Sequence, residues 1–323
     1  AILDGFTISG GNADGPEFPH QDGGGMRSGK FSEFGEDHIS FIVRNSIFKN
    51  NEAVNSGGAF YVTEGPSPVI ENCIFVNNIA DKGGAIYNQF VSNPLIDNCT
   101  FINNSADRGG AICTWQSSIS ITDSTFTENE ATAAGAVELD ESYSSIISNC
   151  LFENNSSLEN SGAVRASGEI IISESVFSGN SSVLVGALFI DDSGTQIIDG
   201  CYFYNNSATG TSLPQGLGGA LGIAVQSTAT ISNSVFENNT ASAGGAVAIM
   251  QADPTFINCT IADNSASSFG GRMANIDTDV NILNTIVWNN AGGNIYNMPA
   301  GNPWGMPASD PQIANSNIGG CGT

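Results

Sequence analysis

The chain carries 323 residues, of which 32 are Asp or Glu and 8 are Lys or Arg, for a formal net charge of −24. That balance excludes nucleic acid and anionic membrane surfaces as partners, and no apolar run is long enough to cross a bilayer as a helix. Charged residues make up only 12% of the chain, while Gly, Asn and Ser abound, a composition suited to a secreted or cell-surface (extracellular) setting rich in divalent cations.

The first residues, Ala1-Ile2-Leu3-Asp4-Gly5-Phe6, open in mid-pattern with neither an initiator Met nor a signal peptide. The chain is therefore expected to be an excised part of a longer exported protein. Phe6 and Phe48 are separated by more than one ordinary repeat, with the excess in two loops, 12–22 and 27–38, on either side of a degenerate Gly24-Gly25-Met26 marker. These loops hold both histidines. His20, Asp22, Glu36, Asp37 and His38 form a candidate metal or ligand set, and calcium is the cofactor such an acidic set would take. The alternative is a solvated cap over an end coil.

From Phe48 onward one unit repeats. An apolar residue is followed three positions later by Asn at Asn51, Asn78, Asn104, Asn129, Asn155, Asn180, Asn206, Asn239, Asn264 and Asn290, with a period of 25–27 residues and one interval of 33. A Gly-Ala-apolar marker follows most anchors in fixed phase, as in Gly84-Ala85-Ile86 and Gly110-Ala111-Ile112. Self-similarity at this period means a solenoid whose units bury their apolar faces against their neighbours. The residues between the markers are β-branched or aromatic, alternate with polar ones and are bounded by turn formers, as in Ser118-Ile119-Ser120-Ile121-Thr122. No stretch keeps helical apolar spacing. The expected fold is all-β, a right-handed parallel β-helix of about eleven coils.

Stacking at roughly 4.8 Å places identical turn residues above one another, so the Asn column is expected to be a buried amide ladder, donating to one coil and accepting from the next. Asn also tolerates the left-handed backbone of a sharp corner, and the same residues are assigned to that corner. Cys73, Cys99, Cys150, Cys201 and Cys259 sit two residues before their anchors, where Ser46, Ser124, Ser175, Ser234 and Thr285 stand in other coils. One inward column of small residues explains these five thiols, and no spacing suggests zinc or redox work.

One position beyond the Gly-Ala-apolar marker, side chains alternate outward. Tyr61 and Tyr87 are expected to be exposed neighbours there, with Trp115 close by, as candidate glycan-stacking faces. Cross-strand pairing is the structural alternative. The same face carries Glu138, Asp140, Arg165, Asp191 and Asp192 on three consecutive coils, with Asp140 and Asp191 about 9.6 Å apart by rung counting. Carboxylates at that spacing suit an inverting glycosidase, and Arg among acids suits a calcium-assisted polysaccharide lyase. The competing reading is a solvated, salt-bridged patch without a second aligned basic residue. A further insertion, 209–218, is expected to leave the same corner as 12–22, where the two loops either frame a groove or are simply tolerated insertions. The period breaks after Asn290, and 298–323, with Pro299, Pro303, Pro307 and Pro311, is assigned to an irregular cap, linker or docking segment after a β-helix of 1–297.

The paired motifs Gly83-Gly84-Ala85-Ile86 with Phe75-Val76-Asn77-Asn78, and Gly109-Gly110-Ala111-Ile112 with Phe101-Ile102-Asn103-Asn104, resemble the repeats of polymorphic outer membrane proteins. The opening Leu3-Asp4-Gly5-Phe6-Thr7-Ile8 and the late Asn284-Thr285-Ile286-Val287-Trp288 resemble the wider class of bacterial right-handed parallel β-helix surface proteins. The resemblance implies a displayed or secreted β-helix, often an adhesin, and brings no catalytic residues, because both motifs are scaffold. The sequence thus points to a non-catalytic extracellular adhesin or structural, filament-forming element. Its expected partners are an extracellular glycan, another surface protein, or itself through axial contacts. A polysaccharide lyase or glycoside hydrolase on the same scaffold is the rival.

Overall fold

The computed structural model describes residues 1–17, 20–29, 41–65, 67–192, 194–211, 215–276, 278–292, 295–297 and 312–318. Their regular elements are all strands, most of them two to five residues long, and each coil pairs in parallel with the next, as Phe75 does with Phe101 and Ile86 with Ile112. Three sheets wrap the solenoid. A twelve-stranded Phe sheet carries the anchors, and a ten-stranded short sheet follows the ladder Asn. The third, long sheet takes two strands from most coils, such as Ile86–Gln89 and Leu95–Asp97. Two strands, Val137–Ser148 and Val164–Ser173, run through both positions and join them. No helix among the described residues is long and apolar enough to cross a membrane.

The sequence repeat becomes three interior columns. Phenylalanines from Phe48 to Phe236 are fully buried and stack ring on ring at 4.7–4.9 Å, as in Phe75–Phe101 and Phe101–Phe126. Beside them the ladder Asn side chains are buried and saturated. Asn104 Nδ2 donates to Asn129 Oδ1 at 3.0 Å and to the Phe75 carbonyl at 3.0 Å, and its backbone N–H shares Asn129 Oδ1. The same pattern recurs at Asn129, Asn155, Asn180, Asn206 and Asn239. The left-handed corner falls one residue earlier than expected. Positive φ belongs to Asn77, Asn103, Glu128 and Asn154, not to the ladder residues, which leaves the ladder amides free to point inward.

The Cys/Ser/Thr column is likewise buried, and its sulfurs are free. Each hydroxyl or thiol donates to the carbonyl two residues back, as Ser124 Oγ does to Thr122 (2.8 Å) and Cys150 Sγ to Ser148 (3.2 Å). Ser124 Oγ in turn accepts from the Cys99 backbone N–H. Burial pushes the Cys150 and Cys259 thiols up to about 11 and Cys201 up to about 12.

The double glycine of the marker is a steric requirement. Gly83 has a φ of 59°, and a Cβ on Gly84 would lie 2.3 Å from the Gly110 carbonyl oxygen of the next coil. One expected boundary moves. Gln312–Ala314 pairs with Asn281–Leu283, and Asn317 with Ile286, so these residues continue the solenoid into the segment assigned to irregular chain. Residues 298–311 and 319–323 lie outside the described residues.

Two outcomes follow from the interior columns. Asn155→Leu leaves the Asn129 backbone N–H and Nδ2 without their acceptor and removes one of the two donors to Asn180 Oδ1, and urea titration is expected to show a loss of roughly 1–3 kcal/mol. Cys73, Cys99, Cys150, Cys201 and Cys259 are expected to resist alkylation in the native protein and to label together on unfolding, as followed by mass spectrometry.

Candidate functional site

Just after the ladder Asn, the short sheet meets the long sheet at the double glycine, and the angle between them leaves a trough outside the solenoid, parallel to its axis. One wall comes from the position preceding the double glycine: Asp22, Ser56, Lys82 and Arg108 stand in register on successive coils. The other wall is the outward column of the long sheet, Tyr61, Tyr87, Cys113, Glu138, Arg165 and Phe189, also in register. Two residues further along each strand, Gln89, Trp115 and Asp140 form its upper edge. Over the coils from Asp22 to Asp140 the trough opens into a cleft of about 560 Å³, lined on one side by Asn55, Ser56, Lys82 and Arg108 and on the other by Tyr87, Gln89, Trp115 and Asp140.

At the inner end of the cleft the acidic candidates are brought together by two arginines. Arg108 Nη2 reaches Glu138 at 2.6 Å and Asp140 at 2.7 Å, and its Nε donates to both Glu138 oxygens. Arg165 Nη1 reaches Glu138 at 2.7 Å, while its Nη2 holds Asp191 at 2.7 Å. Charge therefore alternates along Asp140, Arg108, Glu138, Arg165 and Asp191. Glu138 is 0% exposed, and its carboxylate is shared by two guanidinium groups. Asp191 Oδ1 is buried without a hydrogen bond, and burial holds that carboxyl above the ordinary range against the pull of Arg165. The hydrogen bond to Glu138 holds the Arg108 guanidinium firmly protonated. Asp192 is exposed at the end of the strand Leu188–Asp191.

A family model described as a right handed beta helix region matches residues 3–159, 109–242 and 186–323. The chain belongs to the right-handed β-helix family. No curated protein and no solved structure matches it.

Several expectations about this β-helix change with the trough in view. The acidic patch does have a second aligned base: Arg108 on the short sheet. It occupies the same place before the double glycine as Lys82, its register partner on the neighbouring coil. Tyr61 and Tyr87 are not exposed faces. They are 3% and 4% exposed, because the short sheet folds over a column that points away from the core. Their rings lie 5.7 Å apart and 23° from parallel, so each covers the other, and only Trp115 stays partly open, edge-on to Phe90. Tyr61 further packs under the Arg27 guanidinium and pairs its hydroxyl with Gln89. The insertion 209–218 does not frame the trough in its described part. Leu217 is buried and packs with Ala243, Ala248 and Ala274, filling the trough on the coils beyond Arg165 together with Val185 and Phe189.

Two residues of the expected metal set, His20 and Asp22, are among the described residues. His20 is exposed and Asp22 turns into the cleft, where burial raises its carboxyl above the usual range and Ser56 hydrogen-bonds it. Glu36, Asp37 and His38 lie outside the described residues, and among the described residues no three His, Cys, Asp or Glu side chains stand close enough to hold a metal ion.

The shared carboxylate is the keystone of this end of the cleft. Glu138→Gln leaves two guanidinium groups with one acceptor charge removed, and thermal or urea denaturation is expected to register a loss of roughly 3 kcal/mol. Breaking an exposed pair such as Arg44–Asp4 is expected to leave the same denaturation curve nearly unmoved.

Proposed function

We propose that this β-helix is a non-catalytic, secreted or surface-displayed element, an adhesin or structural fibre component, that binds an extracellular glycan in the cleft between Asp22 and Asp140. The observation that carries the reading is the pairing of the carboxylates with arginine beside an open polar cleft. Glu138 and Asp140 are tied to Arg108, and Asp191 Oδ2 to Arg165, while the other Asp191 oxygen is buried. Next to them the cleft offers what a saccharide needs: a partly open indole at Trp115, the amides of Asn55 and Gln89, and the cationic heads of Lys82 and Arg108. Sugar hydroxyls pair with such groups while a ring face lies on the indole.

A second reading, a polysaccharide lyase or glycoside hydrolase, is favoured by one feature, the raised carboxyl of Asp191 in reach of Arg165. The two are separated by one set of measurements. Under the binding reading, Trp115→Ala weakens glycan binding by about tenfold or more in calorimetry, and no polysaccharide releases reducing or unsaturated ends, with or without calcium. Product release that disappears in Asp191→Asn would replace binding with catalysis.

A further inference from the structure

Resting on the glycan-binding reading, we infer that the trough seats the end of a glycan chain and that Lys82 and Arg108 take an anionic group on its terminal sugar. The trough is blind. Beyond Asp140 its floor is occupied by Glu138 and Arg165, and on the following coils Val185, Phe189 and Leu217 are buried within it. A chain lying along the axis stops at this plug, so the sugar against it is a terminal one.

The charge that this sugar meets is set by which groups are already engaged. Asp140 is held by Arg108, and Asp22 by Ser56. Arg108 uses Nε and Nη2 on its carboxylates, which leaves Nη1. Lys82 is exposed and makes no ion pair with a described residue. Lys82 and Arg108 are register partners on neighbouring strands, about 4.8 Å apart, a spacing at which two cationic heads straddle one carboxylate or sulfate.

The concentration of base here is marked against the rest of the molecule. Lys82 and Arg108 line the cleft beside Asp22, Asp81 and Asp140, while Arg165 is paired with Glu138 and Asp191 at its inner end and Arg27 lies over Tyr61, so half of the 8 basic residues in a chain of charge −24 gather along this one trough. A polyanion would be repelled by the acidic flanks, beginning with exposed Asp81 on the rim. A single anionic end group escapes most of that repulsion, because screening limits it to roughly 8 Å at physiological salt.

The experiment is calorimetry with four oligosaccharides of one backbone. One ends in a uronate, one in the same sugar with its carboxyl reduced to the alcohol, one in a sulfated sugar, and one carries the uronate internally. The expected result is that a terminal uronate or sulfate binds at least about tenfold more tightly than the reduced sugar, and that Lys82→Gln brings the ratio below about threefold while the thermal midpoint stays put. Comparing the uronate and sulfate arms identifies which anion the pair prefers. Equal affinity for the reduced sugar, or for the internal uronate, would overturn the inference and leave glycan binding standing. Failure of all four to bind would overturn both.

Discussion

The hydrogen bond from one ladder Asn to the next is the constraint on which the rest of this protein depends. Each amide has two N–H groups and a carbonyl oxygen with room for two donors, and the stacked coils use all of them: the next Asn Oδ1, the preceding Phe carbonyl, and a shared backbone N–H. In a fully buried column no water is at hand to replace a missing partner. A coil that slipped by one residue would orphan several of these groups at once and turn its Phe out of the stack. The ladder therefore fixes register, and register fixes everything that the coils display.

What they display is governed by the double glycine a few residues later. Gly84 and its equivalents lie so close to the next coil's carbonyl that no side chain fits. The chain can bend sharply there, and the short sheet closes over the first strands of the long sheet. Side chains that leave the core by alternation thus enter a second, narrower interior. On the coils with Phe189, Leu217 and Ala248 this space is filled with apolar groups and adds to stability. On the coils with Lys82, Arg108 and Trp115 it is left open and charged. The buried ion network around Glu138 marks the border between the two, and its rigidity gives the cleft a fixed end wall.

The fold was legible because each interior column leaves a residue type at a fixed phase. Asn at the ladder, Phe in the stack, and Cys, Ser or Thr two residues before each Phe answer a local demand that repeats from coil to coil. The corner conformation was displaced by one residue, since positive φ at Asn103 and Asn154 rather than at the ladder Asn cannot be told from a tract of two asparagines. The site was legible only in part. Glu138, Asp140, Arg165 and Asp191 came from the outward alternation of one sheet, and they do converge. Arg108 was hidden because it lies on another sheet, and what joins it to Glu138 is the angle between two walls, which no spacing encodes. The same angle explains why Tyr61 and Tyr87 are buried: alternation gives the direction of a side chain relative to the core, not what stands opposite it. The open side of the cleft, which carries the proposed function, was legible in neither column alone.

The account's central claim is tested most directly by hydrogen exchange of the ladder itself, followed by NMR at the side-chain Nδ2 and backbone amides of Asn104, Asn129 and Asn155. If the ladder sets the register, these side-chain amide protons exchange only with global unfolding and are protected as strongly as the backbone amides that share the same oxygens. Side-chain amides that exchange at solvent rates while the flanking strands stay protected would show that the coils hold their register without the ladder, and would contradict the account.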